Sequence, residues 1–256
     1  MNTTLKRLLP AFVRRWLRSE QRKIQRQMLT LDRVTDFSVL RSVQPHRKNY
    51  GWTRGKCVDR YYIEQFLFEH SQDIRGHAVE IGENQYMARF GGDRISKADV
   101  LDYVQHPGVT VLADLTSAPN IADATFDCFI CTQTLMCLYD LRAAVKTLWR
   151  TLASGGVALV TLSGISQIAP MSMTNGANEY WRFTEASAQR LFGEVFGDEQ
   201  VEVHTFGNVL TAVAFLHGLV VDELTPEEFA YHDPAYPLIV AVRAMKARSS
   251  GSLSNG

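Results

Sequence analysis

The sequence predicts an α/β fold: a Rossmann-like, doubly wound seven-stranded sheet, mostly parallel with an antiparallel last strand, with helices on both faces. Three observations predict it. From about residue 59 to residue 245, short apolar runs rich in β-branched residues alternate with amphipathic helical stretches. Glycines and acids stand just after several of those runs, where an open parallel sheet binds its ligand. A chain of 256 residues, 46% hydrophobic and 21% charged, supplies one full core but not two enzyme domains and a linker.

The start of the chain stands apart. Leu5, Leu8, Leu9, Phe12, Val13, Trp16 and Leu17 repeat at helical spacing with Lys6, Arg7, Arg14, Arg15 and Arg18 between them, and Pro10 weakens the helix or resets its start. The first 60 residues hold 15 of the 27 Lys and Arg but only Glu20, Asp32, Asp36 and Asp59 among the acids, so a net charge of zero conceals a basic end and an acidic body. Residues 1–58 therefore read as a basic helical arm and connector, 59–246 as the catalytic body, and 247–256 as a disordered, serine-rich tail. The arm, residues 1–26 above all, is suited to peripheral contact with an anionic membrane face; it packs equally well on the body or on a partner.

The body opens with a short helix whose inner face is Ile63, Phe66, Leu67 and His70, ending before Gly76. Ala78-Val79-Glu80-Ile81 follows as a strand that Gly82 stops, and further strands are read at about 94–98, 109–113, 128–132, 157–162 and 201–205, with the last over 237–242. The clearest helix follows Asp140, which caps it; Leu141, Ala144, Val145, Leu148, Trp149 and Leu152 make its apolar face, and Gly155-Gly156 ends it. A second starts after Thr184 with Leu191, Phe192, Val195 and Phe196 inward, and a third runs from Leu210 to Leu219.

Cys57, Cys128, Cys131 and Cys137 fit a reducing cytoplasm, since the first apolar stretch is broken by arginines and is no secretory signal. Cys128 and Cys131 form a C-x-x-C, but in a strand positions three apart face opposite ways, and no second pair stands at ligand spacing. The seven histidines show no metal spacing, so no metal is expected. No apolar run reaches the roughly 18 to 20 residues that span a bilayer.

The chemistry is sought after the strands. Gly82 lets the backbone come close to a ligand, and Asn84 tolerates the left-handed turn that a second glycine would make. Asp99, about 17 residues on, is placed to accept from ribose hydroxyls, and Asp114 after the third strand to accept from an adenine amino group.

In this order, Glu80-Ile81-Gly82, Ala113-Asp114-Leu115, Phe126-Asp127-Cys128-Phe129-Ile130, Leu152-Ala153-Ser154-Gly155-Gly156 and Tyr180-Trp181-Arg182-Phe183-Thr184 resemble the successive motifs of the class I S-adenosylmethionine-dependent methyltransferases, type 11-like, over about residues 59–245. The resemblance implies S-adenosylmethionine as cofactor. It implies Glu80 and Gly82 at the methionine part, Asp99 at the ribose, Asp114 and Leu115 at the adenine, and Gln133 and Thr134 facing the sulfonium and the acceptor, with Arg60 and Tyr61 covering the cofactor. Cys137 stands where many relatives carry histidine, and Ser154 replaces the usual proline.

Methyl transfer is an in-line displacement that needs alignment more than a base. Were a base used, Tyr139, Asp140, His204 and His232 are the candidates, although Asp140 also reads as a helix cap. The expected acceptor is a small molecule or glycan; the arm lacks the interleaved aromatics of a nucleic-acid platform. A nicotinamide oxidoreductase would need G-x-G-x-x-G where Gly82-Glu83-Asn84-Gln85-Tyr86-Met87 stands. The alternative from another class is a non-catalytic binding or scaffold protein that keeps the fold at a membrane or in a complex.

Overall fold

The computed structural model describes residues 42–170 and 176–248. The basic amphipathic helix expected from Leu5 to Leu17, the membrane-contact segment 1–26 and nearly all of the expected tail lie outside the described residues.

Seven strands form one sheet: β1 (Gly76–Ile81), β2 (Ile95–Asp102), β3 (Val111–Leu112), β4 (Phe126–Thr132), β5 (Leu152–Ser163), β6 (Val201–Phe206) and β7 (Ile239–Met245). Their order is β3-β2-β1-β4-β5-β7-β6. β1 to β5 pair in parallel, and β7 runs antiparallel to both β5 and β6. This is the doubly wound arrangement expected from the alternating pattern, with the reversal at the last strand.

The helices are α1 (Val58–Glu69), α2 (Leu141–Thr151), α3 (Glu185–Phe196), α4 (Val209–Leu216) and the single-turn α5 (Pro226–Ala230). Each start is set by local chemistry. Asp140 accepts from the Ala143 amide at 3.0 Å, and Thr184 and Ser187 exchange side-chain bonds with each other's amides at 3.2 and 2.9 Å. Such caps satisfy amide groups that a helix start otherwise leaves orphaned.

Strand alternation sends side chains into two cores, one on each face. Phe129, Cys131, Ala158, Val160 and Val242 meet Ala144, Leu148, Ala188 and Phe192 of α2 and α3. Ala78, Cys128, Ile130, Leu159 and Ala241 meet Ile63, Phe66 and Leu67 of α1 and Phe215 of α4. Cys128 and Cys131 thus lie in opposite cores, as strand geometry requires.

Four readings of the sequence are corrected. β2 does not end at residue 98 but runs to Asp102, because Leu101 pairs in register with Ile81 of the central strand and Val100 and Leu101 are buried. β3 keeps only two paired residues. Gly155-Gly156 does not end a helix: α2 stops at Thr151, and the two glycines sit in a register shift of β5 opposite Phe126 and Cys128 of β4. A Cβ on Gly156 would come within 2.9 Å of the Phe126 carbonyl oxygen, which leaves glycine as the residue that fits. The last strand runs further toward the C-terminus than 237–242, to Met245, and pairs with β5 from Val157 to Ser163.

Between β1 and β2 the chain makes a π-helical turn over Met87–Gly91 and a 3₁₀ turn over Gly92–Arg94, the abbreviated crossover implied by the short spacing before Gly91-Gly92. No helix among the described residues is long and apolar enough to cross a membrane.

Candidate functional site

A cleft of about 730 Å³ opens at the carboxyl ends of β1, β2, β3 and β4. This is the position where the strand order reverses direction and where open α/β sheets hold their ligands.

The floor is built from the end of β1. Gly82 has φ +83°, a left-handed conformation natural to glycine, and its amide donates to the Leu101 carbonyl at 2.9 Å. Glu80, buried on β1 two residues earlier, accepts from the amides of Tyr86 (3.2 Å) and Met87 (2.8 Å), so its carboxylate holds the π turn against the strand end. Burial pushes the Glu80 carboxyl up to about 7, against the pull of the two amide bonds and with a further push from Glu83.

The second wall is Asp102, not Asp99. Asp102 closes β2 and lines the cleft; its carboxylate accepts from the Val104 amide at 2.9 Å and meets His106 Nε2 at 3.2 Å. Gly82 and Asp102 face each other closely enough that a Cβ on the glycine would stand 4.0 Å from Asp102 Oδ2. Asp99 lies inside the strand and does not line the cleft. It is bonded to His77 Nε2 at 2.6 Å, to the Thr110 hydroxyl at 2.8 Å and to Lys97 at 3.1 Å. Burial pulls the Asp99 carboxyl up, but the bonds from His77, Thr110 and Lys97 outweigh it and hold the group below its ordinary value. The signal for Asp102 was in the chain: it stands about 20 residues past the glycine, the spacing of the ribose-binding acid in dinucleotide sites.

The remaining wall comes from the loops after β3 and β4. Asp114 and Leu115 line it; Asp114 Oδ1 accepts from both the amide and the hydroxyl of Thr116 at 2.8 Å, which fixes the turn. Gln133 has φ +50°, a left-handed backbone at a non-glycine residue. It is held there because its amide donates to Thr161 O at 2.9 Å and its Oε1 accepts from the Ser163 hydroxyl at 2.6 Å. Thr134 follows, its hydroxyl donating to Thr132 O at 3.0 Å.

Arg60 reaches the cleft from α1 and donates to the Tyr86 hydroxyl at 3.3 Å; Tyr86 itself lines the cleft and was not anticipated. Tyr61 turns away from it, stacked on Phe229 with ring centroids 4.1 Å apart. Cys137 also lines the cleft, and burial, reinforced by Glu179, pushes its thiol up to about 11, so it stays protonated at neutral pH.

None of the four candidate bases lines this cleft. Tyr139 and Asp140 lie on a neighbouring pocket, with Asp140 spent on the cap of α2. His204 sits on β6 with its ring 5.6 Å from that of His70, and His232 Nε2 is 3.0 Å from the Thr205 hydroxyl. Among the described residues no group of three His, Cys, Asp or Glu could hold a metal ion.

Residues 69–160, which run from the end of α1 through the cleft to β5, match the family model described as a methyltransferase domain. The resemblance to class I methyltransferases is borne out. Among solved structures, this methyltransferase-like chain is similar to a SAM-dependent methyltransferase from Thermotoga maritima, at 18% identity and a TM-score of 0.44 over 73% of this chain and 94% of that one. It is similar to the Burkholderia thailandensis 1,6-didemethyltoxoflavin-N1-methyltransferase with bound 1,6-didemethyltoxoflavin and S-adenosylhomocysteine, at 13% identity and a TM-score of 0.48 over 77% of this chain and 80% of that one. N-methyltransferase NodS from Bradyrhizobium japonicum WM9, in complex with S-adenosylhomocysteine, is 12% identical with a TM-score of 0.47, over 79% of this chain and 94% of that one. The comparison with curated proteins gives no match.

Proposed function

We propose that the chain is an S-adenosylmethionine-dependent methyltransferase acting on a small-molecule or glycan-type acceptor. The observation that carries this reading is the convergence of Gly82, Asp102 and Asp114 on one cleft, inside the segment that matches the methyltransferase domain. The cleft volume falls within the roughly 300–1,000 Å³ of pockets that enclose a small ligand. Its lining suits a nucleoside: carboxylates at the end of β2 and in the loop after β3 to accept from hydroxyl and amino groups, an apolar edge at Leu115, and a glycine where the ligand passes closest to the backbone.

On this reading Asp102 takes the ribose hydroxyls, Asp114 and Leu115 hold the adenine, and Gly82 leaves room for the methionine part. Arg60, with Tyr86, covers it. Glu80 acts at one remove, since both its oxygens bind the turn that shapes the floor. When bound, S-adenosylmethionine supplies an electrophilic methyl group. The protein's own work is alignment and exclusion of water. Gln133 and Thr134 present the end of β4 to the acceptor, and the Ser163 and Thr161 bonds keep that end from relaxing out of its strained backbone. With Cys137 protonated and the candidate bases outside the cleft, the acceptor is one that can be methylated through proper placement, such as an amine or a hydroxyl that loses its proton to solvent.

Calorimetric titration with S-adenosylmethionine and S-adenosylhomocysteine, followed by a radiolabelled methyl-transfer assay against a panel of small amines, phenols and sugars, tests the reading. Saturable binding and transfer to a member of the panel are expected. Absence of binding contradicts the reading, and tight binding without transfer to any acceptor supports a scaffold instead.

A further inference from the structure

A second pocket of about 530 Å³ lies beside the cleft, between the start of α2 and the outer face of α3. The two pockets adjoin across one peptide: Leu138 lines the cleft and Tyr139 lines the second pocket. We propose that this second pocket, walled by Tyr139 and Trp181 with Arg142 and Arg190 at its rim, binds an anionic sugar, the part of the methyl acceptor remote from the reacting atom.

The aromatic pair points to a ring. Tyr139 is 72% and Trp181 37% exposed, an unusual display for side chains of that size, and their rings stand 5.9 Å apart at 35°. Two adjoining exposed aromatic faces inclined at 35° offer apolar surface on which the C–H-bearing face of a sugar can pack. Trp181 is preset for the role: its indole N–H donates to the Leu138 carbonyl at 3.0 Å, so its orientation need not be fixed by the ligand.

The guanidinium groups point to an anion. Arg142 donates from Nε to one oxygen of Glu194 and Arg190 to the other, both at 3.1 Å, so two guanidinium groups share one carboxylate and their terminal N–H groups have no partner among the described residues. Of the other charged wall residues, Arg182 is paired with Glu179 at 2.6 Å, and Asp140 keeps its charge while capping α2, so the attraction for an anion rests on the unpaired guanidinium N–H groups and not on net charge. A carboxylate or phosphate on the sugar would complete the pairing, with the planar guanidinium fork well matched to either.

Binding to the pocket stands on these residues; its service to the methyl acceptor rests on the methyltransferase reading. The experiment is titration of the full-length protein with D-glucuronate, D-glucose and inorganic phosphate, followed through the Trp181 indole N–H resonance, which Trp181→Phe assigns. Glucuronate is expected to shift that resonance saturably in the millimolar range, with neither glucose nor phosphate matching it. The double substitution Arg142→Gln and Arg190→Gln, both at the surface, should weaken glucuronate about tenfold while leaving S-adenosylhomocysteine affinity unchanged. No shift with glucuronate, or the same affinity in the arginine variant, overturns the proposal. Loss of S-adenosylhomocysteine binding alone, with the glucuronate response intact, would count against the methyltransferase reading and against the acceptor role, but not against the sugar site.

Discussion

The sheet is covered very differently on the two sides of β1. Toward β4, β5, β7 and β6, four helices of eight or more residues pack on its faces, and the strand centres are sealed: Leu159, Val160, Val240 and Val242 are fully buried. Toward β2 and β3, the crossovers shrink to a π turn, a 3₁₀ turn and loops, and Tyr103, Val104 and Leu112 are exposed. The difference separates two tasks. The thickly covered half supplies the apolar burial that makes the fold stable, and the thin edge carries Asp102 and Asp114, whose backbone turns are set by hydrogen bonds instead of by a core. A bound nucleoside would supply the cover that the edge lacks, which couples ligand binding to the order of that edge.

The contrast can be broken or sharpened by substitution. Phe192→Ala, in the core between α3 and the sheet, should cost about 3–5 kcal/mol in chemical denaturation, the loss expected when a fully buried ring leaves a cavity. Glu80, at the hinge between the halves, should give the next effect. Burial holds its carboxyl near 7 against an ordinary 4.5, so the proton is bound more tightly in the folded chain. Its contribution to stability is fully present below about pH 4.5 and is lost as pH rises through about 7, on the order of 3 kcal/mol in all. Glu80→Gln should flatten that stretch of a stability-versus-pH curve; an unaltered slope would show that another group carries it. Asp114→Ala should weaken S-adenosylhomocysteine binding by about 1–3 kcal/mol in calorimetry, while changing the melting temperature of the unliganded protein far less than Phe192→Ala does. Leu112→Ala, on the exposed two-residue strand β3, should change stability by no more than about 0.5 kcal/mol. A loss near that of Phe192→Ala would mean that the thin edge is as tightly packed as the rest.

The same contrast explains what could be read from the chain. Where packing decides, the pattern was plain: the stripe from Leu141 with its Asp140 cap marked the start of α2 to the residue, though not its end, and the Val79 and Phe129 strands lie where their apolar runs stand. At the thin edge, few apolar residues mark the strand ends. Ser96, Lys97 and Ala98 are exposed at the start of β2 and Asp99 is charged though buried, so the strand looked finished three residues before the pairing of Ile81 with Leu101. That slip put the expected ribose acid at Asp99, whereas the acid of β2 that lines the cleft is Asp102. Tyr86 and the bent backbone of Gln133 left no trace in the pattern because both depend on contacts with distant elements, the first with Arg60 of α1 and the second with Thr161 and Ser163 of β5. Tyr61 illustrates the opposite error: its neighbour Arg60 enters the cleft, and one step along the helix turns Tyr61 toward Phe229.

The most direct test of the central claim compares two aspartates three residues apart on β2. Calorimetric titration of S-adenosylhomocysteine should show Asp102→Asn weakened by at least about tenfold. Asp99→Asn, which breaks a bond network away from the cleft, should bind as the unaltered protein does. The reverse pattern, or equal binding by both, would contradict a nucleoside site closed by Asp102.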